Sequence, residues 1–252
     1  MIETFTIPGS HQDRECEIQV WLPSGYHDGD ELYPVMYLLD GISAFTCKDE
    51  AGNVTSSIAS FMDSWDKEMI VVSIGGPRNA GEASQDYCPF SRLQQDGAEF
   101  SGKGDEVIQW ILYKLKPVID ERYRTNPFRL CTAIGGCGMG GTLALYALAK
   151  YNRWFSKAAC LSCDFSVGYD ELSCLIANSY VDSNTRLFLS WGSDEGETRA
   201  NLSKQVGCSL QLNRLFVMQE CSAYPYQQRG GTYSSESWTK QIPLFMHYLW
   251  KE

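Results

Sequence analysis

The sequence predicts an α/β fold, a mostly parallel sheet with helices on both faces, and three observations carry that expectation. Five continuous apolar runs, at 33–39, 69–74, 130–134, 158–161 and 187–191, have strand length and do not alternate. That is how strands buried on both faces read. Helical patterns lie between them: Ile58, Phe61, Met62 and Trp65, then Ile108, Ile111, Leu112 and Leu115, recur at i, i+3, i+4, i+7. Strands and helices alternate along the chain, which implies parallel pairing through helical crossovers.

In chain order, 15–22 alternates with period two and reads as an antiparallel strand near a sheet edge. The runs at 33–39 and 69–74 bracket the first helix. The 108–115 helix precedes the 130–134 strand, which enters the glycine-rich stretch 133–141 and leaves as the helical run 142–150. Two more strands follow, and Trp238, Ile242, Phe245 and Leu249 share one face of a final helix. No repeat or low-complexity linker divides the 252 residues, so the expectation is one domain over 1–252. Ligands of such sheets sit beyond the carboxyl ends of the strands, in the loops after Leu39, Ile74, Ile134, Leu161 and Trp191.

Composition narrows the function classes. A hydrophobic content of 44% with 21% charged residues is globular. A net charge of −10 argues against a nucleic-acid surface, which needs clustered Lys and Arg. The first residues lack a basic segment followed by an apolar one, and no apolar run approaches the roughly 20 residues of a membrane span. A cytoplasmic protein without a membrane partner is expected. The ten cysteines are scattered, and Cys16, Cys131 and Cys160 sit in strand-like segments as small hydrophobes. Cys160 and Cys163 form the one C-x-x-C; in extended chain, residues three apart point to opposite faces, so no metal is expected there. Reduced thiols and no cofactor follow.

The stretch 133–141 carries the chemistry. A strand, a tight glycine turn and a helix make the setting of the G-x-S-x-G nucleophile elbow. Gly136 and Gly140 hold its flanking positions, and Gly138 stands where the serine belongs. Other segments extend the match: 33–41 after Leu22-Pro-Ser-Gly-Tyr26, 115–125, 189–195 (Leu-Ser-Trp-Gly-Ser-Asp-Glu) and 230–238 (Gly-Gly-Thr-Tyr-Ser-Ser-Glu-Ser-Trp). In this order, over roughly residues 15–250, they resemble the putative-esterase family of α/β-hydrolases, which includes esterase D-like, tributyrin-type and enterochelin esterases.

The resemblance implies an α/β-hydrolase fold, a small-molecule ester or ligand, and a set of site residues. Gly138 takes the nucleophile position, Tyr233 the histidine position and Glu195 the acid position, with Asp194 and Glu197 as neighbours. The N–H of Met139 and one from the loop after Asp40-Gly41, at Ile42, would form the oxyanion hole. Arg78 and Tyr87 lie in a loop that borders the family's site. A second copy of the chain is a candidate partner.

A serine attacks an acyl carbon only when a base takes its proton. Glycine has no side chain to acylate, and a tyrosine of pKa near 10 is a poor base at pH 7. The expectation is therefore an impaired esterase or a non-catalytic ligand-binding homologue. Two alternatives stay open. Cys137 could act as nucleophile, although this frame puts Met139 where the turn wants a small residue; His11, His27 and His247 offer it no obvious base. Gly136, Gly138 and Gly141 also spell G-x-G-x-x-G, with Asp164 as a ribose-binding acid, which would mark a dinucleotide site.

Overall fold

The computed structural model describes residues 1–10, 14–39, 58–77, 79–93, 99–100, 102–196 and 198–251. In chain order its elements are β1 (Ile2–Pro8), β2 (Glu15–Trp21), β3 (Val35–Leu38), α1 (Ile58–Met62), β4 (Ile70–Ile74), α2 (Ala80–Tyr87) and the short pair β5 (Arg92–Leu93) and β6 (Glu99–Phe100). Then α3 (Gly104–Trp110), a π turn (Ile111–Leu115) and α4 (Lys116–Arg122) follow without a break. The chain continues through β7 (Thr132–Cys137), α5 (Met139–Lys150), β8 (Lys157–Leu161), α6 (Tyr169–Asn178), β9 (Arg186–Gly192), α7 (Arg199–Met218), β10 (Ser222–Gln228), α8 (Ser235–Thr239) and α9 (Ile242–Leu249).

The main sheet has eight strands in the order β1-β2-β4-β3-β7-β8-β9-β10. The hairpin β1–β2 is antiparallel and β2 meets β4 antiparallel, while β3, β4 and β7 to β10 run parallel. Side chains alternate between two apolar layers. Val35, Tyr37, Val72 and Ile134 face one with Leu143 and Leu148; Met36, Val71, Ala133 and Phe188 face the other with Phe245 and Leu249. Both faces of β3, β4 and β8 are buried throughout, which is why these strands read as unbroken apolar runs.

Three expectations need correction. The strand expected at 130–134 begins at Thr132 and runs through both glycines to Cys137, with Arg129–Cys131 as a 3-10 turn before it. The final helix is two, α8 and α9, and Pro243 sits in the first turn of the second, where its missing N–H costs nothing. Cys160 and Cys163 do not point apart. Ser162 adopts φ +48 immediately after β8, which turns the chain back and brings the two thiols into hydrogen-bonding contact. Among the described residues no group of three or more His, Cys, Asp or Glu is placed to hold a metal ion, and no helix is long and apolar enough to cross a membrane. No disulfide is formed among the nine described cysteines.

Candidate functional site

The turn between β7 and α5 is built backbone against backbone. A Cβ added at Gly136 would lie 2.5 Å from the carbonyl carbon of Gly140 and 2.6 Å from its oxygen, so no larger residue lets strand and helix approach this closely. Gly138 adopts φ +55, ψ −124, a region that side-chain-bearing residues enter only under strain. Its N–H donates to Leu161 O at 2.9 Å, and its carbonyl accepts from the N–H groups of Thr142 (3.0 Å) and Asp164 (3.2 Å). The conformation is thus pinned from β8 and α5 at once. Met139, buried, opens α5, and its N–H is one of the first-turn donors that helix geometry leaves unpaired.

Tyr233 fills the space above this turn. A Cβ built on Gly138 would run into Tyr233 Oη and come within 3.0 Å of Cζ. The tyrosine ring packs edge-on against Trp238, centroids 5.1 Å apart. Trp238 Nε1–H donates to Ser162 Oγ at 2.8 Å, and Ser162 Oγ–H donates to Glu195 Oε1 at 2.5 Å. Gln205, on α7, donates from Nε2 to Glu195 Oε2 at 3.2 Å. Burial pushes the Glu195 carboxyl above its ordinary range, against the opposing pull of the Ser162, Gly192 and Gln205 hydrogen bonds. No cation pairs with this carboxylate among the described residues. Glu195 and Tyr233 line one cavity of about 550 Å³, with Cys163, Phe165, Lys204 and Gln205 among its walls.

The structure therefore brings Gly138, Met139, Tyr233 and Glu195 to the carboxyl ends of β7, β8 and β9. Asp194 is exposed, accepts from Ser193 Oγ at 2.9 Å and does not line the cavity. Tyr87 is 3% exposed and lines a different cavity, about 280 Å³, with Arg14 and Trp110. Ile42, Arg78, Glu197 and His11 lie outside the described residues. Cys137 packs toward the apolar layer of α9 and does not line the 550 Å³ cavity. His27 stands edge-on to Tyr26, and His247 edge-on to Phe61 and Trp65. Asp164 caps a local turn, its carboxylate accepting from the Ser166 N–H at 2.8 Å. Sequence reasoning missed Ser162 and Gln205, two side chains that bond the Glu195 carboxylate.

A mostly parallel sheet with a strand–glycine turn–helix, a half-buried carboxylate and a cavity at the strands' carboxyl ends is the arrangement of an α/β-hydrolase. More narrowly, a family described as Putative esterase matches residues 9–243, and the chain belongs to it. The protein is 23% identical to YbbA of Bacillus subtilis (strain 168) over 248 residues, 95% of this chain and 94% of YbbA. Among solved structures it is similar to an IroE-like serine hydrolase from Shewanella oneidensis (TM-score 0.77, 20% identity, 100% of this chain and 80% of that one). It is also similar to the BES protein of Bacillus cereus (0.76, 18%, 98% and 94%) and to the siderophore hydrolase EstA of Aspergillus nidulans (0.68, 17%, 98% and 95%).

Proposed function

We propose that this chain is a ligand-binding member of the esterase family that does not turn over esters by the serine–histidine route. One observation carries the reading: the Tyr233 hydroxyl occupies the space that the Cβ of a nucleophile at position 138 needs. Loss of the serine has not left a hole that a surrogate nucleophile could use. The acid supports the same reading. Glu195 is held by neutral donors, Ser162 and Gln205, so it has no imidazole to orient and no general-base partner to polarise. The first-turn N–H groups of α5 still suit a carboxylate or ester oxygen, and the cavity beside Tyr233 is of small-molecule size.

The alternatives have less support. The Cys137 side chain packs into the core layer away from this cavity. A dinucleotide needs its pyrophosphate against the backbone of the second glycine, and that glycine is covered by Tyr233 Oη. The siderophore hydrolase among the structural neighbours makes siderophore esters one class to include in a ligand screen.

The purified protein should give no burst and negligible turnover with short-chain p-nitrophenyl esters. Robust hydrolysis that persists in Cys137→Ala would overturn the proposal. Gly138→Ser combined with Tyr233→His should hydrolyse these esters faster than either single variant. A double variant no better than the singles would show that these two positions are not the nucleophile and base sites.

A further inference from the structure

The amino ends of the strands carry a second feature, remote from the elbow and independent of the function proposed above. Lys157 opens β8, Arg186 opens β9 and Ser222 opens β10. Parallel pairing sets Lys157 opposite Arg186 and Arg186 opposite Ser222 in the register. With Ser183, Asn184 and Trp250 they line a cavity of about 350 Å³.

Lys157 is 8% exposed. Its ammonium donates to Leu130 O at 2.5 Å and to Ser156 Oγ at 3.1 Å, and lies 4.6 Å from the centre of the Trp250 ring. Two of three ammonium N–H donors are thereby used, both on neutral acceptors. Arg186 Nη1 donates to Leu249 O at 3.2 Å and to Lys251 O, capping the carboxyl end of α9 as a cation should. Its Nε and Nη2 take no partner among the described residues. The acid close by is already engaged, since Asp182 pairs with Arg129 at 3.8 Å. Two cations thus share a recess with no carboxylate partner among the described residues. Burial, then the positive charge of Arg186, pulls Lys157 down to about 8, with Cys131 opposing and Arg129 adding to the fall.

We propose that this recess is a binding site for a small phosphate-class dianion, with Lys157 and Arg186 as its floor and Ser183, Asn184 and Ser222 at its rim. Two adjacent cations are neutralised by a dianion and only half neutralised by a monocarboxylate. The rim supplies hydroxyl and amide donors, which an oxyanion accepts from readily. On a chain of net charge −10 the recess is an exception that selects for anions by its local field.

The test is thermal unfolding of the full chain in rising inorganic phosphate, with ionic strength held by chloride. A saturable rise in Tm is expected, about 5 °C or more at a hundredfold excess over Kd. Sulfate should reproduce it and acetate should not. Lys157→Met and Arg186→Gln should abolish the rise, and Lys204→Ala, in the other cavity, should keep it. An equal rise in all four proteins, or a loss confined to Lys204→Ala, overturns the proposal. Should the recess variants fail to fold, the Lys157 Nζ resonance of the unmodified chain decides: phosphate must raise its pKa, and an unchanged titration at saturating phosphate refutes the site.

Discussion

The two ends of the sheet bury charge of opposite sign, and neither charge has a counterion among the described residues. At the carboxyl end Glu195 is surrounded by neutral donors, Ser162 and Gln205, where the family pattern places an imidazole. Three neighbouring side chains close over this site: Tyr233 on Gly138, Trp238 on Ser162, Ser162 on Glu195. At the amino end Lys157 and Arg186 line an open recess, and part of their donor capacity has no partner among the described residues. On the two proposals, a carboxylate without its imidazole is satisfied by its neighbours, whereas a recess that takes a ligand keeps donors unspent.

The largest effect that sharpens this contrast is at the elbow. Gly138→Ser should destabilise the fold by about 3–5 kcal/mol, combining strain at positive φ with overpacking against Tyr233. Adding Tyr233→Ala should recover the overpacking share alone, so the two changes will be non-additive in chemical denaturation. An additive pair would mean that the tyrosine does not close this site.

Next comes Lys157. Its folded pKa of about 8 lies below the unfolded value near 10.4, so the penalty of holding its charge is full below pH 8 and fades as pH rises toward 10. In phosphate-free buffer the stability of Lys157→Met relative to the parent should fall by about 2–3 kcal/mol between pH 7 and pH 10. A difference that does not change with pH would remove the buried cation from the comparison.

Glu195 gives the mirror image and the smallest effect. Its folded pKa is raised by burial, so the stability it contributes is full below the unfolded pKa near 4.3 and is lost as pH climbs through the folded value. Glu195→Gln, which cannot ionise, should gain on the parent between pH 4 and pH 7. The gain should stay below about 1 kcal/mol, because the group is partly solvated. A gain on acidification would reverse the sign and refute the burial argument.

The centre of the fold was legible in the sequence and its margins were not. Strands β3, β4, β8 and β9 are buried on both faces, so their residues had little choice but to be apolar. By contrast β10, at the sheet edge, carries Pro225 and exposed polar residues and gave no periodic signal. Gly138 and Tyr233 stood out because a motif surrounds each. Ser162 and Gln205 did not, since one is a hydroxyl just past a strand and the other an amide on a helix ten residues beyond the acid. Only folding makes them neighbours of one carboxylate. Lys157 and Arg186 left a faint trace, as single cations at the heads of two otherwise apolar runs.

On the proposed function, the tyrosine over the glycine also makes any route to serine–histidine catalysis directional. A lineage that acquires serine at 138 first must fold around a collision with Tyr233 before any activity can repay it. One that acquires histidine at 233 first removes the bulky phenol and passes through an intermediate with an idle base but an intact core. Serine–histidine hydrolysis is therefore reachable mainly in one order, with position 233 changing before position 138.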